Sequence, residues 1–161
     1  MNYARHIAAA LVLALVFPPI NIAIAEKPVN HLYKLNHTKK DIECLAKNIY
    51  FEARGETHKG KIAVAQVTLN RVLYQGDFNK TICGVVYQKD QFSWTKLPKI
   101  NQQVKDFNTW KESIYIATGM LNGHIFIDNF EALYFHATHV KPSWRLTKQY
   151  IDKIGKHIFY L

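Results

Sequence analysis

The sequence predicts an α+β domain, with helices in the first part of the chain and a small antiparallel sheet at its end. Apolar residues recur every three or four positions in three stretches between residues 42 and 121, which is typical of helices packed against a core. After Gly123 the pattern changes to short runs of aromatic and β-branched residues, which is typical of strands. The order of the two patterns gives the predicted order of helices and sheet.

The first helix is predicted to begin after Thr38, because Asp41 follows three residues later as in a capping box. We expect Gly55 to end this helix, and the short Gly55-Glu56 link should make the next helix its neighbour. The apolar side of the first helix is formed by Ile42, Leu45, Ala46, Ile49 and Ala53.

Six further elements are predicted from the same patterns. In chain order they are a helix from Thr57 to about Val72, a short helix capped by Thr81 and running through Gln88, a strand or extended loop at 91–95, a helix from about Thr109 to Asn122, and two strands at 132–137 and 157–160. The second helix is expected to bury one face, made of Ile62, Ala63, Gln66, Leu69 and Val72.

The N-terminus is interpreted as an export signal rather than as part of the fold. Arg5 supplies a positive charge, residues 7–17 are apolar, and Ala23-Ile24-Ala25 has the small-x-small pattern of a cleavage site. The apolar run is shorter than the roughly 20 residues that a membrane span needs. An uncleaved N-terminal anchor is the alternative, and either one predicts a periplasmic or extracellular protein. We assign residues 1–25 to the signal or anchor, 26–40 to a linker or arm, and 41–161 to the domain.

The chain is basic, with 21 Lys and Arg against 12 Asp and Glu, a net charge of +9. A basic exported domain suits an anionic partner such as a wall polymer, a membrane surface or nucleic acid. The densest basic cluster is Lys39-Lys40, which Asp41 follows at once, so the sequence lacks the basic arm typical of nucleic-acid binding. We expect no nucleic-acid partner, and membrane contact only through an uncleaved N-terminal segment.

Two cysteines, Cys44 and Cys83, fall within the predicted domain. In an oxidising compartment a single disulfide is the simplest interpretation. Two buried reduced thiols are the alternative that the sequence leaves open.

Glu52 is the leading catalytic candidate. It is predicted to lie in the last turn of the first helix, where a negative charge opposes the helix dipole, and it follows Tyr50 and Phe51, which can exclude water. Both effects favour the protonated carboxyl, and a carboxyl kept protonated near neutral pH can act as a general acid on a glycosidic bond. A surface glutamate at a helix end is the competing interpretation.

A second carboxylate, which most glycosidases use, is not evident. Glu43 lies nine residues before Glu52 on the same helix, about 13 Å along its axis at the standard rise per residue. Neither the direction of Glu56 nor the position of Asp90 in the fold can be derived from the sequence. The sequence therefore favours a mechanism with one acid.

Aromatic and histidine residues supply the other candidates. Phe92, Trp94, Tyr134, Trp144 and Phe159 can stack on sugar rings or form a core, and their polar neighbours are Gln91, Ser93 and His136. His136, His139 and His157 raise the possibility of zinc, but they lack the spacing of a helical zinc motif. We predict neither a metal nor a cofactor.

An ordered series of short motifs resembles the catalytic domain of spore cortex-lytic (SleB-type) cell wall hydrolases. The series covers residues 41 to 161 and contains Cys44-Leu45-Ala46, Tyr50-Phe51-Glu52-Ala53-Arg54-Gly55-Glu56, Ala63-Val64-Ala65-Gln66-Val67, Leu69-Asn70-Arg71-Val72, Ile82-Cys83, Val85-Val86-Tyr87-Gln88, Gln91-Phe92-Ser93-Trp94, Ala132-Leu133-Tyr134-Phe135-His136-Ala137, Pro142-Ser143-Trp144 and His157-Ile158-Phe159-Tyr160.

The resemblance implies a lysozyme-like, lytic-transglycosylase-like fold and an enzyme that degrades peptidoglycan glycan strands. It further implies that Glu52 is the catalytic acid and that the glycan cleft is built from Gln91, Phe92, Ser93, Trp94, Tyr134, His136 and Trp144. We expect a compact exported wall-lytic enzyme of bacterial or phage origin, the latter an endolysin. Two alternatives remain: a zinc-dependent amidase cutting the muramoyl–alanine bond, and a non-catalytic wall-binding module.

Overall fold

The structure, a computed structural model, describes residues 36–74 and 76–161. The predicted export signal and the first ten residues of the predicted linker lie outside this range. In the described part, the helices are α1 (Lys39–Ala53), α2 (His58–Leu73), α3 (Ile82–Val86) and α4 (Phe107–Leu121), and the strands are β1 (Tyr134–Ala137), β2 (Tyr150–Ile154) and β3 (His157–Tyr160). No helix within these residues has the length and apolar character needed to cross a bilayer.

Helix α1 begins as predicted, because Thr38 and Asp41 form a capping box. The Thr38 hydroxyl accepts the Asp41 N–H at 3.2 Å, and the Asp41 carboxylate accepts the Thr38 N–H at 3.0 Å. The helix ends at Ala53, two residues before Gly55. Gly55 does not adopt the left-handed conformation that often follows a helix; Gly123 and Gly155 are the described glycines with positive φ.

Helix α2 forms the centre of the domain. All residues from Gly60 to Arg71 are buried, so the prediction of a single buried face was wrong. One side, with Ile62, Ala65 and Leu69, packs against α1, α3 and α4. The opposite side, with Ala63, Val64 and Val67, packs in a second cluster with residues of the sheet. A helix between two layers is buried around its whole circumference, so the apolar positions of α2 do not mark a single buried face.

The polar side chains of α2 fasten the loop that leads into β1. The Asn70 amide donates to the carbonyls of Phe130 and Ala132 at 2.9 and 3.0 Å, and Arg71 Nε donates to the Leu133 carbonyl at 2.7 Å. The Gln66 amide donates to the Ile127 carbonyl and accepts the Ile127 N–H. Buried backbone groups outside regular structure need such partners, so these side chains fix where β1 starts.

The strands form an antiparallel sheet in the order β1-β3-β2. Strands β1 and β3 match the predicted strands, whereas β2 was not predicted. The segment predicted to be a strand or extended loop at 91–95 instead contains a 3₁₀ helix, Ser93–Lys96. Thr95 donates hydrogen bonds from both its N–H and its hydroxyl to the Phe92 carbonyl. These bonds close a local turn, so the segment does not pair as a strand.

A disulfide joins Cys44 of α1 to Cys83 of α3. Thr81 caps α3, as predicted, by accepting the Gly84 N–H at 3.0 Å. The disulfide and the cap together hold this short helix against the longer α1.

Candidate active site in a surface groove

Three cavities share lining residues along one side of the domain, and we call them together the groove. The central cavity, about 430 Å³, is lined by Glu52, Arg71, Asp90, Gln91, Ser93, Lys96, Phe135, His136, Ala137, Val140 and His157. The turn cavity, about 270 Å³, is lined by Glu52, Gly55, Glu56, Ala137, Thr138, His139, Lys156 and His157. The aromatic cavity, about 330 Å³, is lined by Tyr74, Gly76, Asp77, Phe78, Gln88, Gln91 and Tyr134.

Glu52 lies where two of these cavities meet. It occupies the last turn of α1, as predicted, and its partly buried side chain lines both the central and the turn cavity. Burial raises the pKa of the Glu52 carboxyl to about 7, and the positive charge of Arg71 opposes that rise. At neutral pH a large fraction of Glu52 therefore carries a proton facing the groove, the state that a general acid requires.

The two aromatic neighbours of Glu52 point into the core. Tyr50 is buried, and its hydroxyl accepts the N–H groups of Lys105 and Asp106 at 3.0 Å. Phe51 stacks on Trp94 at a centroid distance of 4.8 Å. Consecutive helical residues point in different directions, so Glu52 faces the groove while these rings face the core. The predicted direction of the pKa shift agrees with the structure, and the part that these two rings play in it stays a prediction.

Arg71 is a site residue that the sequence did not single out. Its side chain is 4% exposed, its Nε is held by the Leu133 carbonyl, and its guanidinium lies 5.0 Å and 5.2 Å from the ring centres of Phe78 and Phe92. Burial lowers the pKa of Arg71 to about 10, so it remains charged at neutral pH. Arg71 is thus a fixed positive charge beneath the central cavity.

Three further carboxylates line the groove, and two of them, Asp90 and Glu56, are engaged by protein groups; the third, Asp77, lies in the aromatic cavity. Asp90 forms an ion pair with Lys96, whose hydrogen bond and charge lower the pKa of Asp90. Glu56 is buried and accepts the Lys156 N–H at 3.1 Å. By contrast, the Glu52 carboxyl makes no hydrogen bond or salt bridge to any residue in the described part of the chain, which leaves it available to a ligand.

The predicted glycan-cleft residues divide into two groups. Gln91, Ser93 and His136 line the central cavity, and Tyr134 lines the aromatic cavity. Phe92 and Trp94 are 2% and 4% exposed, so the structure corrects their predicted contact with the glycan and places them in the core. The Trp94 indole N–H donates to Asn48, which in turn donates to Thr68.

Trp144 does not line any of these three cavities but packs against residues that do. It is partly buried and packs against the rings of Tyr134, His136 and Tyr160 at centroid distances of 5.6–5.9 Å. Its contact with the glycan, which the resemblance implied, stays a prediction. Tyr74 and Phe78, which flank the Gly76-Asp77 turn, were missed as lining residues, because nothing local shows that this turn faces β1.

Both ring nitrogens of His136 already have partners. Its Nδ1 lies 2.9 Å from the Ala137 carbonyl and its Nε2 lies 3.1 Å from the Tyr160 hydroxyl. Among the described residues, no three His, Cys, Asp or Glu side chains are arranged to hold a metal ion. The three histidines considered for zinc do not form a ligand cluster in this arrangement.

Comparison with known proteins identifies similar sequences and folds. The Cell Wall Hydrolase family profile matches residues 55–160, a segment that begins three residues after Glu52. The chain is 33% identical over 123 residues to a spore cortex-lytic enzyme of Bacillus cereus and 34% identical over 123 residues to one of Bacillus subtilis. Each match covers 76% of this chain, but only 45% and 38% of those two proteins.

Two solved structures share the fold. The catalytic domain of the germination-specific lytic transglycosylase SleB from Bacillus anthracis superposes with a TM-score of 0.63 at 31% identity, covering 78% of this chain and 98% of that domain. The catalytic domain of the Bacillus cereus SleB protein gives the same TM-score and identity and is covered to 93%. These matches confirm the predicted α+β, lysozyme-like fold class.

Proposed function

Because the chain belongs to the Cell Wall Hydrolase family, we propose that it cleaves the glycosidic bond between N-acetylmuramic acid and N-acetylglucosamine in peptidoglycan, as a lytic transglycosylase. The observation that carries the proposal is the position of Glu52, a carboxyl with a pKa of about 7 at the junction of two cavities in an open groove. The Bacillus anthracis relative is a germination-specific lytic transglycosylase, which supports the same reaction.

The shape of the groove suits a polymer rather than a small molecule. The aromatic and central cavities share Gln91, and the central and turn cavities share Glu52, Ala137 and His157, so a chain of sugars can extend to both sides of Glu52. The aromatic cavity offers Tyr74, Phe78 and Tyr134 for contact with sugar rings. The proposal is therefore that a bound glycan extends past Glu52 on both sides and that an internal bond is cut.

The proposed reaction uses Glu52 twice. Protonated Glu52 gives its proton to the oxygen that links the two sugars, and that bond breaks as positive charge develops at the muramoyl C1. The oxygen of the muramoyl N-acetyl group stabilises this centre. Ionised Glu52 then removes the proton from the muramoyl 6-hydroxyl, whose oxygen bonds to C1 and closes a 1,6-anhydro ring. The protons balance without a second acid, which agrees with the protein contacts that occupy Asp90 and Glu56.

Arg71 supports both roles of Glu52. The carboxylate formed after proton donation sits near a fixed positive charge, which stabilises it until it takes up the next proton. Burial and Arg71 act in opposite directions on the Glu52 pKa and together hold it near 7. A pKa near the working pH lets one group serve efficiently as acid and then as base.

We place this activity outside the cytoplasm, at the cell wall, where the substrate lies. The N-terminal residues 1–25 are our proposed route of export, and the disulfide in the domain is consistent with an oxidising compartment.

Glu52→Gln tests the proposal. Glutamine keeps the size of the side chain but cannot supply the proton, so lysis of purified peptidoglycan should fall by about 100-fold or more. The variant should still bind the wall. The matched control is Glu43→Gln, because Glu43 lies on the same helix, is exposed and pairs with Lys47 outside the groove. Glu43→Gln should leave lysis unchanged.

Three results would contradict the proposal. Undiminished lysis by a folded Glu52→Gln variant would exclude Glu52 as the acid. Loss of wild-type lysis with a chelator, restored by zinc, would favour the amidase alternative instead. Equal wall binding by wild type and variant, with no lysis by either, would identify the domain as a binding module.

A further inference from the structure

His157 is the other hydrogen-bonding side chain at the cleavage point. Among the residues that the structure describes, only Glu52, Ala137 and His157 line both the central and the turn cavity. Ala137 has no polar side-chain atom, so Glu52 and His157 are the side chains able to make hydrogen bonds there. A glycan that passes Glu52 along the groove therefore passes the imidazole of His157. The reaction described above uses no histidine.

The fold contains a pocket for the carboxylate that faces His157. The Glu56 side chain is 6% exposed, its Oε2 accepts the Lys156 N–H at 3.1 Å, and its Oε1 lies 3.6 Å from His157 Nδ1. A Cβ atom at Gly155, which has a φ of +58°, would lie 1.9 Å from Glu56 Oε2. A Cβ at Gly60 would lie 2.9 Å from Glu56 Cβ. The absence of side chains at Gly60 and Gly155 thus leaves the space that the Glu56 side chain occupies.

The arrangement fixes which nitrogen of the ring can meet a ligand. Nδ1 is buried and makes no hydrogen bond within the usual distance, and the nearest carboxylate to it is Glu56. Phe135 packs edge-on against the ring at 5.2 Å and holds its plane. Since Nδ1 is closed to the groove, Nε2 is the only polar ring atom that a sugar can contact.

The surroundings of His157 favour the neutral ring. Burial lowers the pKa of His157, Glu56 opposes this, and the nearby His136 and His139 lower it further. In a neutral ring, the proton belongs on the nitrogen that faces a carboxylate, which is Nδ1. Nε2 then carries a lone pair and acts as a hydrogen-bond acceptor.

Resting on the proposed function, we propose that His157 Nε2 accepts a hydrogen bond from the glycan at the cleavage point, and that Glu56 is the positioning residue that holds the ring for this contact. The donor is a sugar hydroxyl or the N–H of an acetamido group. An acetamido N–H would gain most, because it becomes a stronger donor as its carbonyl oxygen shares charge with C1.

The first measurement is kcat and KM on peptide-free glycan strands. His157→Phe keeps an aromatic ring but has no acceptor, and we expect kcat/KM to fall by about 10-fold or more. Glu56→Gln should cause a smaller loss in the same direction. The double variant should be no worse than His157→Phe alone, because the two residues act through one contact. The matched control is His58→Phe, since His58 pairs with Glu112 at 3.0 Å outside the groove.

The second measurement identifies the donor. In the inactive Glu52→Gln protein, His157→Phe should weaken the binding of glycan strands by about 5-fold, the value of one hydrogen bond. If the weakening disappears on strands that have been N-deacetylated, the donor is the acetamido group. If it persists, the donor is a hydroxyl. Both outcomes support the contact.

A folded His157→Phe variant with wild-type kcat/KM and binding would overturn the inference while leaving the proposed function intact. Wild-type protein that releases no glycan fragments would instead refute the proposed function. Melting temperatures establish that the variants fold. If His157→Phe does not fold, Glu56→Gln is the deciding variant, because it leaves the ring in place. A loss of about 3-fold or more in its kcat/KM supports the contact, and wild-type kinetics overturn it.

Discussion

At the scale of single residues, the chemistry proposed for Glu52 rests on burial that arises only in the folded chain. Its carboxyl lines a cavity to which β1 and β3 contribute Phe135, Ala137 and His157, and burial raises its pKa. The motif around Glu52 correctly predicted its place in the last turn of a helix and the direction of its pKa shift. The motif could not predict the extent of this burial, since that depends on how distant parts of the chain pack around the end of the helix.

The raised pKa of Glu52 carries a cost in stability. Its folded-state pKa of about 7 exceeds the value of 4.5 for an ordinary glutamate, so the native state binds this proton more tightly than the unfolded state. The contribution of Glu52 to stability therefore falls as pH rises from about 4.5 to about 7, and above that the full cost of about 3 kcal/mol applies.

We predict that Glu52→Gln is more stable than wild type at pH 8, by about 1–3 kcal/mol, because it removes the buried charge. At pH 4 the two proteins should be nearly equal. Urea denaturation at both pH values measures the difference, and Glu43→Gln controls for loss of an exposed charge. A variant less stable than wild type at pH 8 would show that the carboxylate is not destabilised by burial.

At the scale of elements, periodicity predicted the three long helices to within a few residues and failed where an element touches two layers or a sheet edge. Helix α2 is buried on all sides, so no polar face marked its orientation. Strand β2 exposes Tyr150 and Lys153 and contains Asp152 next to Lys153, so it lacks the apolar run used to recognise a strand.

The turn between β2 and β3 depends on a glycine. Gly155 has a positive φ and stands against the Glu56 carboxylate, so Gly155→Ala combines backbone strain with a steric clash. We predict a loss of about 1–3 kcal/mol in unfolding free energy, together with a loss of activity because Glu56 is displaced. Gly55→Ala is the matched control, since a Cβ there meets nothing within 4 Å. Equal stability of the two variants would contradict the assigned role of Gly155.

The disulfide ties α3 to α1 across a sequence separation of 39 residues. Closing a loop of that length restricts the unfolded chain and is worth about 4 kcal/mol on the chain-entropy model. We predict that Cys44→Ser/Cys83→Ser lowers the unfolding free energy by about 2–4 kcal/mol without changing kcat, because neither cysteine lines the groove. A selective loss of kcat at unchanged stability would instead assign the cysteines to the chemistry.

At the scale of the whole molecule, the groove arises from packing helices on a sheet. Glu52 and Arg71 come from the ends of two helices, Gln91 from a loop and His136 and His157 from two strands. The fold class followed from local patterns, since helical and strand periods are local. The groove could not be predicted from local patterns, because its residues are separated by up to about a hundred positions and meet only after folding. The ordered motifs supplied most of the predicted lining residues, though not which aromatic rings face the glycan.

The most direct test of the central claim is mass spectrometry of the soluble products released from purified peptidoglycan by wild type and Glu52→Gln. The account predicts muropeptides ending in 1,6-anhydro-N-acetylmuramic acid from wild type, and none from Glu52→Gln. Reducing muramic acid ends would indicate hydrolysis by water in place of ring closure. Free stem peptides with uncut glycan strands would contradict glycosidic cleavage by Glu52.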